Sequence, residues 1–249
     1  MHIPDAVTPL EGDLRVIFGN RLQSLVVYGL RGPAGQGNSH GSHAAHAAHQ
    51  PERAVTHTLA VVDTLSTDDL RACTARVESW HDGGLATPLL LAAHEFSRSL
   101  DAFPFEFGAI LADHLLVSGT NPFDGLTVEP ADLRRACEVQ ARGHWLHLRE
   151  GYLETRGRGD ALAVLIVQSA AAFAALLTSV ARLDGVASVD AAAAARHVER
   201  RLELKSTTAS EIVALAGVNE ISSAEAGRLI APYLDAVERL VKYIDTWKA

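Results

Sequence analysis

Two apolar runs separated by a polar insertion, SLVVYG (24–29) and THTLAVVD (56–63), decide how the first half of this chain folds. Both are rich in β-branched residues, and the first ends in glycine, so each predicts a β-strand. Leucines and other apolar residues recur at helical spacing from Leu10 to Leu25 and predict a helix over residues 10–22. The insertion, residues 30–54, is rich in Gly, Ala and His, and we expect a long, mobile loop there.

The segment after the second strand predicts further alternation of helices and strands. Ser66, followed three residues later by Asp69, has the pattern of a helix N-terminus, and the helix is expected to continue to about Trp80. Three more elements are predicted before residue 127: a strand in TPLLLAA (87–93), a short helix in HEFSRSLD (94–101), and one or two strands in FEFGAILADHLLVSG (105–119).

From Pro130 onward the pattern is helical only. Pro130 suits the first position of a helix, and an apolar stripe extends that helix to about Thr155. Pro232 lies inside the last predicted helix and should kink it. Four more helices are predicted at about 160–183, 189–204, 208–216 and 222–247, with capping boxes at Thr208/Glu211 and Ser222/Glu225.

The predicted fold class is therefore α+β, in two domains. Residues 1–127 form a domain with a mixed sheet and flanking helices, and residues 128–249 form an all-α helical bundle. With 249 residues, 48% of them hydrophobic, the chain is long enough for one large core or two smaller ones.

The charge balance disfavours general binding of nucleic acid. The formal net charge is −8, with acidic residues spread along the chain, whereas phosphate binding requires clustered Lys and Arg. The best candidate for a local basic groove is the set Arg134, Arg135, Arg142 and Arg149, which we interpret as the solvated face of a long helix.

One stretch, residues 162–181, is uncharged and long enough to span a membrane. It is rich in alanine, contains Ser, Thr and Gln, and lacks flanking aromatic belts, so we interpret it as the buried helix of a bundle and expect no membrane partner. The N-terminus has no signal-peptide pattern, and Cys73 and Cys137 are typical of buried thiols in a reducing compartment. These features predict a cytoplasmic protein.

Three segments, in this order, resemble a bacterial branch of the nucleotidyltransferase (DNA polymerase β-like) superfamily: AVVDTLSTDDL (60–70), SLDAFPFEF (99–107) and DLRRACEVQARGHWLHLREGYLE (132–154). The resemblance covers roughly residues 10–155 and implies a nucleotidyltransferase-like sheet in the N-terminal domain. It also implies a ligand site where the first strand ends and the second begins, at Gly29, Leu30, Arg31 and His57.

Active members of that superfamily carry Gly-Ser after the first strand and an Asp-x-Asp or Asp-x-Glu pair on the second, which holds two Mg²⁺ ions. This chain has Gly29-Leu30 at the first position. Alignment on residues 63–66 places Val55 and His57 at the acidic pair, and a shift by two places His57 and Leu59 there. Neither alignment provides two carboxylates, so the resemblance implies a degenerate active site.

The sequence thus favours a protein that binds a nucleotide-like or other small ligand in the cleft between its halves, with the long loop as a lid. One alternative is an active Mg²⁺-dependent enzyme that transfers NMP from an NTP to a small molecule or protein, using a displaced set of Asp63, Glu106 and Asp113. Another alternative is a non-enzymatic module that forms a homodimer through its helices.

Four histidines in the insertion, His40, His43, His46 and His49, recur every third residue. On a helix they would share a face and could bind Zn²⁺, Ni²⁺ or Cu²⁺. Short His tracts are a compositional signal only, so the favoured interpretation is an unordered insertion without a metal.

Overall fold

The computed structural model describes residues 2–30, 55–186 and 190–248 of the chain. By its internal contacts the chain divides into two compact units, Met1–Val128 and Glu129–Ala249. The described residues form ten α-helices and one four-stranded sheet, so the α+β class is confirmed, as is the helical character of the second half.

The first unit contains the whole sheet. Its elements are α1 (Val7–Phe18), a 3₁₀ turn (Gly19–Arg21), β1 (Leu22–Tyr28), β2 (His57–Val62), α2 (Thr67–Thr74), α3 (Val77–Asp82), β3 (Leu89–Ala92), α4 (Ala93–Ala102), α5 (Pro104–Ala112) and β4 (His114–Gly119).

The sheet has the order β3-β2-β1-β4 and is mixed, as predicted. Strand β1 is antiparallel to both β2 and β4, whereas β2 and β3 are parallel. Tyr28, the last residue of β1, lies opposite His57 of β2 and His114 of β4. These three residues therefore lie side by side at one end of the sheet.

Helices cover both faces of β1 and β2, which explains why these strands are almost continuously apolar. One face, which includes Leu25 and Ala60, packs in a core with Leu10 and Leu14 of α1 and Trp80 of α3. The opposite face forms a second core with α4 and α5, which contains Val26, Leu59, Val61, Phe96, Phe107 and Ile110.

Two boundaries in the first unit differ from the predictions. Helix α1 ends at Phe18, and Leu22 and Leu25 belong to β1, because Gly19 ends the helix with a positive φ of 55°. The helix predicted to reach Trp80 is instead two helices, α2 and α3, separated at residues 75 and 76.

The predicted start of α2 is confirmed. The hydroxyl of Ser66 accepts a hydrogen bond from the Asp69 backbone N–H, and the Asp69 side chain accepts one from the Ser66 backbone N–H. The Arg21 guanidinium binds the same carboxylate at 2.7 and 2.8 Å and, with Ser66, holds the pKa of Asp69 well below its usual range. This capping box therefore also ties α2 to the turn that precedes β1.

The prediction of strands throughout residues 105–119 is wrong for its first half. Pro104 is the first residue of helix α5, and only His114–Gly119 forms a strand. A short apolar run such as FEFGAIL has no periodicity that separates a buried strand from a buried helix. As a consequence, Glu106, one of the three carboxylates of the proposed displaced set, lies in the first turn of a helix and not on a strand.

The second unit consists of α6 (Pro130–Glu154), α7 (Gly159–Leu183), α8 (Ala191–Arg201), α9 (Thr208–Ala214) and α10 (Ser223–Thr246). Pro130 is at the first helical position and Ser222 caps α10 through the Glu225 N–H, as predicted. The predicted cap at Thr208 is wrong, because Thr207 is the N-cap and the buried Thr208 hydroxyl pairs with Ser206 at 2.8 Å. Pro232 lies within α10.

Helix α7 is the one described helix with the length and composition of a membrane span, with a mean hydropathy of 2.1 over its most apolar window. It packs against α6, α8, α9 and α10, and its buried residues include Ile166, Phe173 and Leu177. The core helix of a water-soluble bundle packs in this way.

Candidate functional site

The site expected from the resemblance lies at the end of the sheet where β1 meets β2. Gly29 has a φ of +72°, and its N–H donates to the Asp113 carbonyl oxygen at 3.0 Å. The rings of Tyr28 and His57 are 5.7 Å apart. The structure therefore brings Gly29, His57 and Asp113 to one end of the sheet, while Leu30 packs against the α1 core. Arg31 lies outside the described residues.

The other ionisable side chains at this end have structural roles. His114 places Nδ1 at 3.2 and 3.1 Å from the carbonyl oxygens of Ile110 and Leu111, and Nε2 at 3.2 Å from Asn121 Oδ1. Both ring nitrogens of His114 are therefore engaged within the protein. Burial raises the pKa of Tyr28 to about 12, so its hydroxyl stays protonated at neutral pH.

The positions that would carry the metal-binding pair do not offer a metal site. Leu59 is fully buried in the core against α4 and α5, and Val55 is an alkyl side chain that precedes β2. His57 is thus the single potential ligand in either alignment, and one imidazole suits transition metals better than Mg²⁺.

The displaced set of carboxylates is also separated. Asp63 follows the last residue of β2. Asp113 lies beside Gly29, near the other end of β2, where that strand begins. At about 3.3 Å per residue, the six steps from His57 to Asp63 span about 20 Å. Across the described ranges, no three His, Cys, Asp or Glu side chains are placed to hold one metal ion. The histidines at 40, 43, 46 and 49 lie outside those ranges.

A cavity of about 520 Å³ lies at the opposite end of the sheet, near Asp63. It opens beside the carboxyl ends of the parallel strands β2 and β3, the position at which α/β sheets commonly bind ligands. Its volume is within the range of small-molecule sites. The lining residues are Gln23, Ser24, Val61, Ala93, Phe96, Thr120 and Pro122.

A close approach of two backbones shapes one wall of this cavity. Gly119 has a φ of +82°, and a Cβ atom there would lie 1.9 Å from the Gln23 carbonyl oxygen. The Ser24 hydroxyl donates to the Thr120 carbonyl oxygen, and the Thr120 N–H donates to the Gln23 carbonyl oxygen. The backbone that leaves β4 at Thr120 is therefore held against the start of β1.

Among the described residues, the lining combines apolar and polar groups and includes no Lys or Arg. Phe96, Val61 and Pro122 offer apolar surfaces, whereas Gln23, Ser24 and Thr120 supply amide, hydroxyl and backbone groups. The Asp63 carboxylate lies 3.5 Å from Gln23 Nε2, and the neighbouring Arg21 guanidinium is bound to the Asp69 carboxylate. This chemistry suits a flat, uncharged ring with polar edges and disfavours phosphate. The sequence prediction missed this site because it did not include the parallel pairing of β2 with β3.

The helical unit contains two partly buried polar clusters. His144 Nε2 lies 2.8 Å from the Tyr233 hydroxyl, which donates to Ser169 Oγ at 3.1 Å. In the second cluster, the Asp184 carboxylate at the end of α7 is held by donors from α8 and α10, namely His197 at 2.8 Å, Trp247 at 3.1 Å and the Tyr243 hydroxyl. Both clusters join helices through hydrogen bonds between side chains, so we assign them structural roles.

Comparison with known proteins does not assign a family. The sequence matches no family model, and no curated protein matches it.

Proposed function

We propose that this chain is a nucleotidyltransferase-like protein that binds a small ligand and does not transfer nucleotidyl groups. The order α1, β1, Gly29, insertion, β2, with β1 antiparallel to β2, is compatible with the resemblance in the sequence. One observation carries the functional part: two of the carboxylates proposed for catalysis, Asp63 after β2 and Asp113 before β4, are at opposite ends of the sheet. Two Mg²⁺ ions cannot share them.

The ligand we propose is a nucleoside or a similar uncharged ring compound, held in the cavity beside Phe96. The aromatic and aliphatic side chains would contact the ring faces, and the side chains of Gln23 and Thr120 would pair with its polar edges. A triphosphate would place several negative charges near Asp63, so we expect a nucleoside to bind more tightly than its triphosphate.

Thermal unfolding in the presence of ligands tests binding. We expect the four ribonucleosides, or one of them, to raise the melting temperature, and the same nucleoside triphosphates to raise it less, with no further effect of Mg²⁺. A ligand at 100 times its Kd adds about 2.7 kcal/mol to the free energy of unfolding. Stabilisation by triphosphates that requires Mg²⁺ would contradict the proposal.

The location of the site is tested by filling the cavity. Thr120→Trp places a large side chain at the cavity rim and should remove the nucleoside-induced shift. Thr74→Trp, at an exposed residue of α2, is the matched control and should leave the shift unchanged. An unchanged shift in Thr120→Trp would exclude this cavity as the binding site.

A label-transfer assay tests the enzyme alternative. The protein, incubated with radiolabelled ATP, Mg²⁺ and candidate acceptors, should show no transfer of AMP. Turnover that disappears in Asp63→Asn or Glu106→Gln would refute the proposal and establish the active nucleotidyltransferase.

We also propose a cytoplasmic location. Cys73 and Cys137 are both free thiols and are buried, which is typical of proteins in a reducing compartment.

A further inference from the structure

A row of exposed apolar side chains runs along α6. Val139, Leu146 and Leu153 are spaced seven residues apart and are 66%, 60% and 76% exposed. Seven residues are nearly two turns of an α-helix, so the three side chains form an almost straight line about 21 Å long. The row supplies one of the two apolar positions in each seven-residue repeat of a paired helix.

The two sides of the row carry opposite charges. At 100° per residue, Arg142 and Arg149 lie about 40° and 60° to one side of Leu146, and Arg135 is on the same side. Glu150 lies about 40° to the other side, followed by Glu154 at about 80°. The row is therefore bordered by arginines on one side and by glutamates near its C-terminal end on the other.

Some of these charges are already paired within the helical unit, and others are available. The Arg142 guanidinium donates to both carboxylate oxygens of Asp245 at 2.8 Å. The Arg149 guanidinium lies over the Trp145 ring at 4.9 Å and, within the described part of the chain, has no carboxylate within 4.0 Å. Glu150 is highly exposed, and its nearest basic group is His147 at 3.6 Å.

We propose that α6 pairs in parallel with α6 of a second copy of this chain. A two-fold axis parallel to the helices places the arginine side of each helix against the glutamate side of the other. Arg149 then lies next to the partner subunit's Glu150. An antiparallel two-fold pair would place arginine against arginine, which is unfavourable.

The same charges argue against a lipid surface as the occupant. An interfacial helix on anionic lipid has basic residues on both sides of its apolar row, whereas the highly exposed Glu150 and Glu154 border this one. The row is about four turns long, and stable interfaces bury about 800 Å² on each partner. The row is a narrow contact surface, so we expect a weak dimer.

Sedimentation of the full chain between about 5 and 500 µM, a range that covers weak association, tests the pairing. We expect a reversible monomer–dimer equilibrium that Leu146→Glu shifts at least tenfold toward monomer. The matched control is Val164→Glu on α7, where the side chain is 54% exposed and outside the row. Arg149→Glu should weaken the dimer, and adding Glu150→Arg should restore it. A monomer at every concentration, including one that binds anionic vesicles, would overturn the proposal.

Orientation is tested by cross-linking. Val139→Cys should form a disulfide-linked dimer by itself under mild oxidation, because a parallel pair places both copies of residue 139 together. Cys73 and Cys137 are buried and should not contribute. Cross-linking that occurs only when Val139→Cys is mixed with Leu153→Cys would overturn the parallel arrangement. The binding of nucleosides is measured separately, so a failed dimer test leaves the proposed function unaffected.

Discussion

The buried His144 makes a quantitative prediction about acid stability. Its ring stacks on Phe173 at 5.4 Å, and burial, together with the neighbouring His147, lowers its pKa to about 4. Tyr233 donates to Ser169, and the Ser169 hydroxyl donates to the Ile166 carbonyl oxygen, so His144 Nε2–H must be the donor to Tyr233. A neutral imidazole protonated at Nε2 satisfies this chain of hydrogen bonds.

Proton linkage gives the sign and the size of the change in the free energy of unfolding with pH. In the unfolded chain a histidine takes up its proton below pH 6.5, whereas folded His144 does so only below about pH 4. The unfolded state therefore binds more protons between these values. The contribution of His144 to the free energy of unfolding is complete above pH 6.5 and is lost as the pH falls toward 4. The full loss is about 3 kcal/mol, with about 2 kcal/mol of it between pH 7 and pH 5.

Urea unfolding followed by circular dichroism at pH 7 and pH 5 measures this contribution. The appropriate variant is His144→Gln, which keeps an N–H donor for Tyr233 and does not titrate. We expect the wild-type protein to lose about 2 kcal/mol more than His144→Gln between the two pH values. All other histidines are present in both proteins, so their effects cancel. Equal losses in the two proteins would refute the assignment of a neutral, buried His144.

Four further substitutions test the packing and one surface ion pair. Arg182 is largely buried, and within the described residues its Nε and Nη1 atoms have no hydrogen-bond partner, so Arg182→Met should raise stability by about 1–3 kcal/mol in urea unfolding. Gly119→Ala should lower the melting temperature and weaken nucleoside binding, because the new Cβ would collide with the Gln23 backbone. Asp184→Ala should cost about 1–3 kcal/mol, since it removes the acceptor for three partly buried donors. Asp235→Ala, which removes an exposed ion pair, should cost less than about 1 kcal/mol.

Local signals were sufficient for the parts of the fold that depend on neighbouring residues. The β-branched runs located β1 and β2, the Ser66–Asp69 pair located the start of α2, and Pro130 located the start of α6. Helix α5 was missed because a nine-residue apolar helix has no exposed face to produce a periodic pattern.

The cavity and the partly buried clusters depend on residues that are far apart in the sequence. Ser24 and Thr120, which meet at the cavity, are 96 residues apart, and Asp184 and Tyr243 are 59 residues apart. Propensity and spacing carry no information on such pairs. The exposed row on α6 is different, because its seven-residue spacing is visible in the sequence and only the exposure of Val139, Leu146 and Leu153 required the structure.

The resemblance at the Gly29 end of the sheet can be tested by a gain of metal binding. Residues 55 and 57 are two positions apart in extended backbone at the start of β2, so their side chains point to the same side. If this end retains the geometry of a nucleotidyltransferase, Val55→Asp combined with His57→Asp recreates the acidic pair. The other alignment cannot be tested in this way, because an aspartate at the fully buried Leu59 would unfold the sheet.

We expect the double aspartate variant to bind Mn²⁺, used as a paramagnetic substitute for Mg²⁺ and detected by electron paramagnetic resonance in the presence of ATP. The matched control, Val55→Asn with His57→Asn, has side chains of the same size without charge and should not bind the ion. A folded double aspartate variant that binds no more Mn²⁺ than the asparagine control would show that this end of the sheet lacks the superfamily's metal-binding geometry. The proposed relationship would then have to be abandoned, whereas the cavity beside Phe96 would still have to be judged by its own binding data.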